Sequence, residues 1–428
     1  MGVRGTHVRV LLVNAFHYLR GGVERTYLDE SRWLSEAGHE VSHFATRDPR
    51  NLFSPTARHF APSADFSEGA PMGRQVTQLP HAVWSHPAER AMAGLLREVR
   101  PEIAHLHAPS RYLTPSILRP LEKARVPVVM TLHDFKPWCT NRILFAHGEP
   151  CERCRGGRHW HAFATACVQE SRPKSAVAAF EAYTHDALGA WRSVRRWLAP
   201  SRFVMEKALA HGVAGDMLRL LPHGVAPAAA EDAPARAPQP APNVIPFEPP
   251  EEPYVFFSGR LSVEKGVRLL PAIAMRLAPT PVLVAGEGPL RGWLEAQAPA
   301  TPNLRLLGHV DDATLTSLRR GAGVVAVPSL FYEHFCYAVA EALLDRRPVV
   351  ASGIGAIPEL VEHEVTGLLV APGDAHAFAE AVRRALHDPA AYGWARAGYE
   401  RVKSVGEPAR HLEALVGIYR ETMESRPR

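Results

Sequence analysis

Short apolar runs alternate with helical stretches along most of the chain, and this alternation strongly constrains the fold. In the first half, the strand-like segments read HVRVLLVNAF, EVSHFAT, EIAHLH, VPVVMTLHD and RRWLAPS, with amphipathic helical patterns between several of them, for example at 24–37 and 87–99. The cycle restarts after residue 250 with PYVFFSG, PVLVAG, NLRLLG, GVVAVPS, RPVVAS and TGLLVA. Alternating strands and helices indicate parallel sheets, so the pattern predicts an α/β protein with two Rossmann-like, doubly wound domains.

The predicted domain boundaries follow from this pattern. The chain has 428 residues, which is too long for one hydrophobic core. We predict an N-terminal domain at 1–225 and a C-terminal domain at 253–405. The segment 226–252 is rich in Pro and Ala and has no period, which is typical of a linker. A helix at 406–428 is expected to pack back on the N-terminal domain. Ligands of such sheets bind at the carboxyl ends of the strands, here in a cleft between the two facing domains.

The composition is ordinary for a soluble globular protein, with 46% hydrophobic and 22% charged residues. The net charge of +5 does not by itself indicate a nucleic-acid partner, and we expect none. No segment reaches the ~18–20 apolar residues of a membrane span. The early apolar run at 8–16 lacks the cleavage site of a signal peptide. We therefore expect a cytoplasmic protein.

Common nucleotide-binding signatures are absent from the sequence. There is no GxxxxGK[ST] loop and no GxGxxG after the first strand, which argues against an ATPase or a dinucleotide enzyme. The first strand is followed by HYLRGGVERT, where Gly21 and Gly22 stand directly before a helix. Paired glycines allow the backbone amides of a helix start to approach an anion or a sugar closely. A plain strand-to-helix turn is the alternative interpretation.

The second half has two cations after its first strand. The segment FFSGRLSVEKGVRLL contains Gly259, then Arg260 and Lys265, and then a helix. Arg offers a bidentate fork and Lys a point charge, so this loop suits a diphosphate; a solvated basic loop is the alternative. The segment VAGEGPLRGW repeats the order of strand, glycine and helix with Gly286 and Gly288.

The segment SLFYEHFCYAVAEALLD places Glu333 and Glu341 on either side of a mostly apolar stretch. Burying an ionised carboxylate is costly unless something binds it. If a helix begins near Phe335, Glu341 lies about two turns further along it. Carboxylates in this position suit the hydroxyl pairs of sugars and ribose, and ordinary ion pairs are the alternative.

Several of these segments together resemble the retaining glycosyltransferases of family 4, which have the GT-B fold. They are GGVER, GRLSVEKG, AGEGPL, PSLFYEHFCYAVAEAL and GAIPELVEHEVTGLLV, and the matching motifs run from residue 8 to about 373. The resemblance implies transfer of a sugar from a nucleoside diphosphate sugar, with retained anomeric configuration and no catalytic metal or other cofactor. It suggests a glycan or lipid-linked acceptor and a role in surface polysaccharide biosynthesis.

The resemblance also implies roles for individual residues. Arg260 and Lys265 would bind the diphosphate and stabilise the leaving group. Glu333 would hold donor-sugar hydroxyls, and Glu341 the ribose hydroxyls. His133, in TLHD, matches the histidine that approaches the reacting sugar. The remaining donor-binding candidates are Gly21, Gly22, Gly259, Gly286, Phe335, Cys336 and Tyr337.

The chain departs from the family pattern in two places. Cys336 and Tyr337 stand where relatives often have Gly or Pro, which puts the shape of the sugar pocket in question. His223 in LPHGV replaces a more usual Asn. Two other functions fit the architecture, a nucleotide-sugar 2-epimerase and a non-catalytic nucleotide-sugar-binding protein. The two glutamates together with the Arg/Lys pair argue against the epimerase.

Four of the five cysteines fall in an insertion at about 135–175. In a reducing compartment, a CxxC pair with two flanking cysteines favours a structural zinc site over disulfides. Free thiols or a redox pair are the alternative. The predicted zinc ligands are Cys139, Cys151, Cys154 and Cys167, with His159 and His161 as spare candidates.

The segment 134–202 is basic and rich in tryptophan. It has 11 Lys and Arg against 6 Asp and Glu. Its tryptophans are Trp138, Trp160, Trp191 and Trp197. Such a patch suits peripheral contact with an anionic membrane at its inner face, where lipid-linked acceptors lie. A solvated surface with some core tryptophans is the alternative.

Overall fold

The computed structural model describes residues 7–63, 80–226 and 250–425. The predicted linker at 226–252 lies outside the described residues except at its two ends. The chain divides into two compact units. The first unit comprises 1–146, 151–224 and 408–428, and the second comprises 147–150 and 225–407.

Eight strands lie before residue 221, and six of them form the parallel sheet of the first unit. In chain order they are β1 (Arg9–Val13), β2 (Glu40–Phe44), β3 (Ile103–Leu106), β4 (Val128–Thr131), β5 (Phe145–Ala146), β6 (Glu149–Pro150), β7 (Val194–Ala199) and β8 (Leu218–Leu220). Strands β5 and β6 pair with each other, and the other six form a sheet in the order β2-β1-β3-β4-β7-β8. All neighbours in this sheet are parallel. The strand order reverses between β1 and β3, so the carboxyl ends of these two strands mark the switch point of the sheet.

Seven helices lie between and after these strands. They are α1 (Gly22–Glu36), α2 (His86–Glu98), α3 (Ser110–Leu113), α4 (Leu118–Lys123), α5 (Trp160–Thr165), α6 (Arg172–Leu188) and α7 (Arg202–Ala210). The helices predicted at 24–37 and 87–99 are confirmed as α1 and α2. Serines define several starts because their hydroxyls cap helix amides. Ser85 accepts a hydrogen bond from the Ala88 amide of α2, and Ser201 from the Val204 amide of α7.

The second unit contains a second six-stranded parallel sheet. Its strands are β9 (Val255–Ser258), β10 (Val282–Ala285), β11 (Leu304–Gly308), β12 (Val324–Val327), β13 (Val349–Ser352) and β14 (Leu368–Val370). They lie in the order β11-β10-β9-β12-β13-β14. Counted from β9, this is the 3-2-1-4-5-6 order of dinucleotide-binding domains. Side chains alternate between the two faces of β9, so Val255 and Phe257 join one apolar cluster and Phe256 joins another.

The remaining helices cover the second sheet, except for the last one. They are α8 (Leu270–Leu277), α9 (Arg291–Gln297), α10 (Asp312–Gly321), α11 (Tyr337–Leu344), α12 (Ile357–Leu360), α13 (Ala375–His387), α14 (Ala390–Gly406) and α15 (Pro408–Glu424). Helix α15 belongs to the first unit, where Leu415 and Tyr419 are fully buried in the same core as Val10 and Leu12 of β1. None of the described helices has the length and apolar character needed to span a membrane.

Candidate functional site

The second sheet brings two loops together at its switch point. Strands β9 and β12 are neighbours, and they are followed by the loops 259–266 and 328–336. The Leu330 amide donates a hydrogen bond to the Glu264 carbonyl (2.8 Å) and joins the two loops. In open parallel sheets, the carboxyl ends of the strands at such a point form a ligand-binding crevice. The predicted site residues on these loops are Gly259, Arg260, Lys265, Glu333, Phe335 and Cys336.

Lys265 and Glu333 form an ion pair between the two loops. The Lys265 Nζ lies 2.7 Å from Oε1 of Glu333, and the Ser329 hydroxyl donates to the same oxygen at 2.7 Å. The Glu333 side chain is only 7% exposed and that of Lys265 is 30% exposed, so the pair is partly shielded from water. Burial alone would lower the pKa of Lys265, but the Glu333 carboxylate raises this pKa above its ordinary value. The ammonium is therefore charged at neutral pH.

Arg260 differs from Lys265 in its surroundings. Its side chain is exposed, and it makes no side-chain hydrogen bond or ion pair within the part of the chain that the structure describes. Lys265 is fixed by Glu333 and lies over the Phe331 ring, with Nζ 4.9 Å from the ring centroid. The loop after β9 thus presents one anchored cation and one guanidinium that can form two parallel hydrogen bonds to an oxyanion.

Glycines allow the loops at this edge to approach one another closely. Gly286 follows β10 with a φ of 139°, and a Cβ there would lie 1.9 Å from the Gly259 carbonyl oxygen. Gly266 has a φ of 72°, and a Cβ there would lie 1.9 Å from the Pro328 carbonyl oxygen. Side chains of L-residues fit neither the space nor the backbone conformation. Both glycines are therefore required for the loop after β9 to pack against its neighbours.

The helix predicted to begin near Phe335 begins at Tyr337, and Glu333 lies in the loop before it. The reason is Cys336, whose φ of 68° is left-handed and prevents an earlier start. The side chains of Phe335 and Cys336 are buried. Burial raises the pKa of the Cys336 thiol, which therefore stays protonated at neutral pH.

Glu341 lies in α11 and is paired within the second unit. Its Oε2 accepts a hydrogen bond from Nη1 of Arg319 at 3.0 Å. Arg319 is 4% exposed and also donates through Nε to Oδ2 of Asp345 at 2.6 Å. The ion-pair alternative thus describes the contacts of Glu341 in this structure, and its role at a ribose stays a prediction.

In the first unit, Gly21 and Gly22 lie at the start of α1. Gly21 is the N-cap residue and has no side chain to cap the helix, and the Glu24 carboxylate accepts backbone hydrogen bonds at Gly21 and Glu24. The remaining amides of a helix N-terminus suit an anion or a polar ligand. The first turn also contains Glu24, which accepts a hydrogen bond from Nδ2 of Asn14 at 3.3 Å. Burial raises the pKa of Glu24.

His133 follows β4 and belongs to a row of histidines in the first unit. Its Nε2 lies 3.0 Å from Nδ1 of His107, and its ring stacks on that of His223 with centroids 5.0 Å apart. His107 is almost fully buried, and burial lowers its pKa well below the ordinary value. The His107 ring is therefore neutral at neutral pH, and it supports His133 from the interior.

Several polar residues near the candidate site residues belong to no recognisable motif and were not predicted from the sequence. In the second unit they are Ser329, Arg319 and Asp345, and in the first unit Glu30, His105, His107, His411 and Tyr419. The available signal was EIAHLH, because histidines two residues apart make one face of a buried strand polar. A second signal was Glu30, since an acidic residue on a buried helix face needs a partner.

The four cysteines of the insertion line one small cavity, together with His161. All are free thiols, and burial raises the pKa of Cys139 to about 12 and that of Cys154 to about 11. Among the residues that the structure describes, no three cysteine sulfurs lie within 4.8 Å of one another. This spacing is wider than that around a bound zinc ion. The cysteines therefore gather in one place, and zinc binding stays a prediction.

Two family models match the chain. The model for Glycosyltransferase Family 4 matches residues 20–229, and the model for Glycosyl transferases group 1 matches residues 252–388. The second match contains the ion pairs of the candidate site, which involve Lys265, Glu333 and Glu341.

Curated relatives are glycosyltransferases. The chain is 26% identical to a phosphatidyl-myo-inositol mannosyltransferase of Mycolicibacterium smegmatis over 385 residues, which are 89% of this chain and 83% of that protein. It is 38% identical to a glycogen synthase of Mycobacterium tuberculosis over 158 residues, which are 35% of this chain and 38% of that protein. The chain spans less than half of the length of the first curated relatives that it matches.

Solved structures show the same fold at low identity. The Anabaena protein HepE, in complex with UDP and glucose, aligns with 97% of this chain and 100% of its own, with a TM-score of 0.65 and 15% sequence identity. Together with the two parallel sheets, this likeness confirms the predicted fold class, an α/β protein with two Rossmann-like domains of the GT-B type.

The close backbone approach at Gly286 yields a stability prediction. Gly286→Ala should destabilise the protein by about 1–3 kcal/mol or more, because alanine must leave the observed backbone conformation and avoid the Gly259 carbonyl. The matched control is Gly292→Ala in α9, where a Cβ meets nothing within 4 Å. That change should be neutral or stabilising by about 0.5–1 kcal/mol. Urea denaturation measures both, and equal midpoints for the two variants would contradict the prediction.

Proposed function

Because the chain belongs to the group 1 glycosyltransferases of family 4, we propose that it transfers a sugar from a nucleoside diphosphate sugar to an acceptor with retained anomeric configuration. The observation that carries the proposal is the Lys265–Glu333 ion pair, with Arg260 on the same loop, at the switch point of the second sheet. It supplies cations for a diphosphate and a carboxylate for sugar hydroxyls. The structural neighbour in complex with UDP and glucose supports uridine diphosphate sugars as the first donors to test.

Lys265 and Arg260 act on the leaving group. Negative charge on the departing diphosphate is greatest in the transition state, so both cations stabilise that state more than the bound substrate. The Lys265 ammonium has three N–H donors, and one of them binds Glu333. The others are available to phosphate oxygens. We expect turnover without an added divalent ion, because the cations of the chain take over its role.

Glu333 orients the donor sugar. The hydrogen bonds from Lys265 and Ser329 both use its Oε1. Its Oε2 can therefore accept a hydrogen bond from a sugar hydroxyl while Lys265 and Ser329 hold Oε1. A hydrogen bond to an ionised carboxylate is stronger than one between neutral groups, so the sugar is held in one orientation.

The acceptor of this proposal is a glycan or a lipid-linked saccharide. His133 approaches the reacting sugar, and the Gly21–Gly22 helix start faces the phosphate or the acceptor. A relative that matches most of the chain is named for a phosphatidyl-myo-inositol, which supports a lipid-linked acceptor. The process that we propose is surface polysaccharide biosynthesis.

An exposed aromatic patch on α5 and α6 supports peripheral contact with an anionic membrane. Its members are Trp160, Phe163, Phe180 and Tyr183, which are 54%, 50%, 64% and 42% exposed. The Trp160 amide donates to the Tyr183 hydroxyl at 3.1 Å, so the two helices form one surface. The surrounding segment has 11 Lys and Arg against 6 Asp and Glu. Of the other tryptophans of the segment, Trp197 is buried and Trp138 and Trp191 are half-buried, so they do not belong to this patch.

The transfer reaction gives the first test. A nucleoside diphosphate sugar that raises the melting temperature is incubated with saccharide acceptors, and NMR determines the anomeric configuration of the product. Lys265→Ala and Arg260→Ala should each lower kcat on the order of a hundredfold or more. The control is Arg268→Ala, an exposed cation that contacts the Trp293 ring instead. Equal kcat in all three variants, or an epimerised donor without acceptor, would overturn the proposal.

The two glutamates should differ in effect. Glu341→Gln should weaken donor binding roughly ten- to a hundredfold, the loss of a charge-assisted hydrogen bond of about 1.5–3 kcal/mol, with kcat little changed because the ribose does not react. Glu333→Gln should impair both donor binding and kcat. The matched control is Asp345→Asn, which weakens the same Arg319 network and should lower the melting temperature alone. Donor affinity that is unchanged in both glutamate variants would show that these residues are structural ion-pair partners.

Membrane contact depends on the aromatic patch. The wild-type protein should float with anionic phospholipid vesicles at low salt and less at high salt, because exposed charges are screened over about 10 Å at 0.1 M. Trp160→Ser/Phe163→Ser should abolish flotation. The control is Tyr392→Ser, which removes an aromatic side chain that is 74% exposed in the second unit. This change should have no effect on flotation. Absence of wild-type flotation at low salt would exclude the contact.

We also propose that the four-cysteine cavity binds one structural zinc ion. All proteins are purified without a polyhistidine tag. The Cys151→Ser/Cys154→Ser variant should contain one equivalent of zinc less than the wild type. Its melting temperature should also be lower, because a structural zinc ion contributes folding energy. The control is Cys336→Ser, which removes the fifth cysteine and should retain the zinc. Substoichiometric zinc, with all four thiols open to titration in the folded protein, would contradict the assignment.

A further inference from the structure

A second group of metal-ligand side chains lies in the interior of the first unit, away from the cysteines. Glu30 of α1, His105 of β3 and His107 after β3 are each at most 1% exposed. In the described parts of the chain, they are the one group of three or more His, Cys, Asp or Glu residues whose ligand atoms all lie within 4.8 Å of one another. We propose that this Glu–His cluster binds one divalent metal ion of the zinc type.

The distances within the cluster fit a shared ion better than direct hydrogen bonds. Oε2 of Glu30 lies 3.3 Å from Nδ1 of His105 and 3.4 Å from Nε2 of His107. Hydrogen bonds between nitrogen and oxygen cluster at about 2.9–3.0 Å. Zinc bonds to nitrogen and oxygen are about 2.0–2.1 Å long, so neighbouring ligands of a tetrahedral ion are about 3.3–3.4 Å apart.

Two atoms of the cluster are buried without a hydrogen-bond partner. They are Oε2 of Glu30 and Nε2 of His107, and they face each other. An unsatisfied polar atom in the interior costs about 1–3 kcal/mol, and more when it is charged. A metal ion between these two atoms would satisfy both of them at once.

The outward-facing atoms of the three ligands all have partners, as is usual around protein-bound metals. The pairs are His105 Nε2 with Thr131 Oγ1 at 2.7 Å, His107 Nδ1 with His133 Nε2 at 3.0 Å, and Glu30 Oε1 with His411 Nε2 at 3.0 Å. These contacts set the orientation of each ring and of the carboxylate before an ion binds.

The hydroxyl of Tyr419 lies 2.8 Å from Nδ1 of His105 and is the nearest candidate for a fourth ligand. Tyr419 comes from α15, so an ion here would join α1, β3 and α15 in one core. The cluster is closed to solvent, which is typical of a structural metal site.

An ion on His107 also affects His133. Metal at Nε2 leaves the ring proton of His107 on Nδ1, which then donates to Nε2 of His133. A neutral His133 consequently carries its own proton on Nδ1. This consequence rests on the proposed function, in which His133 faces the substrate, but the metal site itself does not.

Metal analysis tests the proposal in a background without the cysteine site. Untagged Cys151→Ser/Cys154→Ser protein is loaded with Zn²⁺, and weakly bound metal is removed on a chelating resin. The zinc content is then measured by inductively coupled plasma mass spectrometry. It should retain one zinc per chain. Adding Glu30→Gln should weaken Zn²⁺ binding at least a hundredfold in competition with a chelator. Adding Glu36→Gln, an exposed position on the same helix, should leave it unchanged.

Less than a tenth of an equivalent of zinc in the Cys151→Ser/Cys154→Ser background, or equal affinity with and without Glu30→Gln, would overturn the proposal. If Glu30→Gln does not fold, Co²⁺ in the folded background decides the question. A ligand-field band without thiolate charge transfer supports a site of nitrogen and oxygen ligands, and a spectrum of free Co²⁺ overturns it. None of these measurements uses transferase activity, so failure of the metal site is distinguishable from failure of the proposed function.

Discussion

A carboxylate in a protein interior must be neutralised, and three buried glutamates organise the polar parts of this chain. Glu333 is neutralised by Lys265 at the switch point of the second sheet, and Glu341 by Arg319 in the same unit. Glu30 in the first unit is surrounded by the rings of His105, His107 and His411. Each ion pair is costly to break, because removal of one partner leaves the other charge buried. In the Lys265–Glu333 pair, each charge is compensated by its partner, and both side chains still have polar atoms that can bind a ligand.

The backbone of the second sheet makes this pairing possible. The loops after β9, β10 and β12 approach so closely that Gly286 and Gly266 have no room for a Cβ. The approach places Lys265 beside a carboxylate 68 residues further along the chain. Arg260 on the same loop remains exposed, so the loop presents one paired cation and one exposed cation. A rigid cation with a preset position is what a charged transition state requires, because no energy is spent on moving it during the reaction.

In the first unit, histidine side chains surround the buried carboxylate of Glu30. In the row of His107, His133 and His223, the two outer rings are buried and His133 between them is half-buried, and Glu30 lies beside His107. Burial keeps the inner rings neutral, so they transmit orientation through hydrogen bonds and not through charge. The helix start at Gly21 and Gly22 lies on the same α1 that contributes Glu30. One helix thereby connects an exposed end with the buried polar cluster.

The sequence by itself determined the fold class and the candidate loops. Strand and helix periodicities are local properties, so α1, α2, the strands β1–β4 and β7 of the first sheet and all six strands of the second sheet could be predicted from short windows, whereas the three-residue strand β8 was missed. The motifs placed Arg260, Lys265 and Glu333 on the candidate loops, and their roles stay predictions. The helix start at Tyr337 could not be predicted from the sequence, because the left-handed backbone of Cys336 depends on its packing and not on the helix propensity of the residue. The partners of the buried charges were decided only by the tertiary structure. Glu341 meets Arg319 on another helix, and Glu30 meets His411 across 381 residues of sequence. Contacts at such separations depend on how helices pack on a sheet, and no local pattern in the chain encodes them.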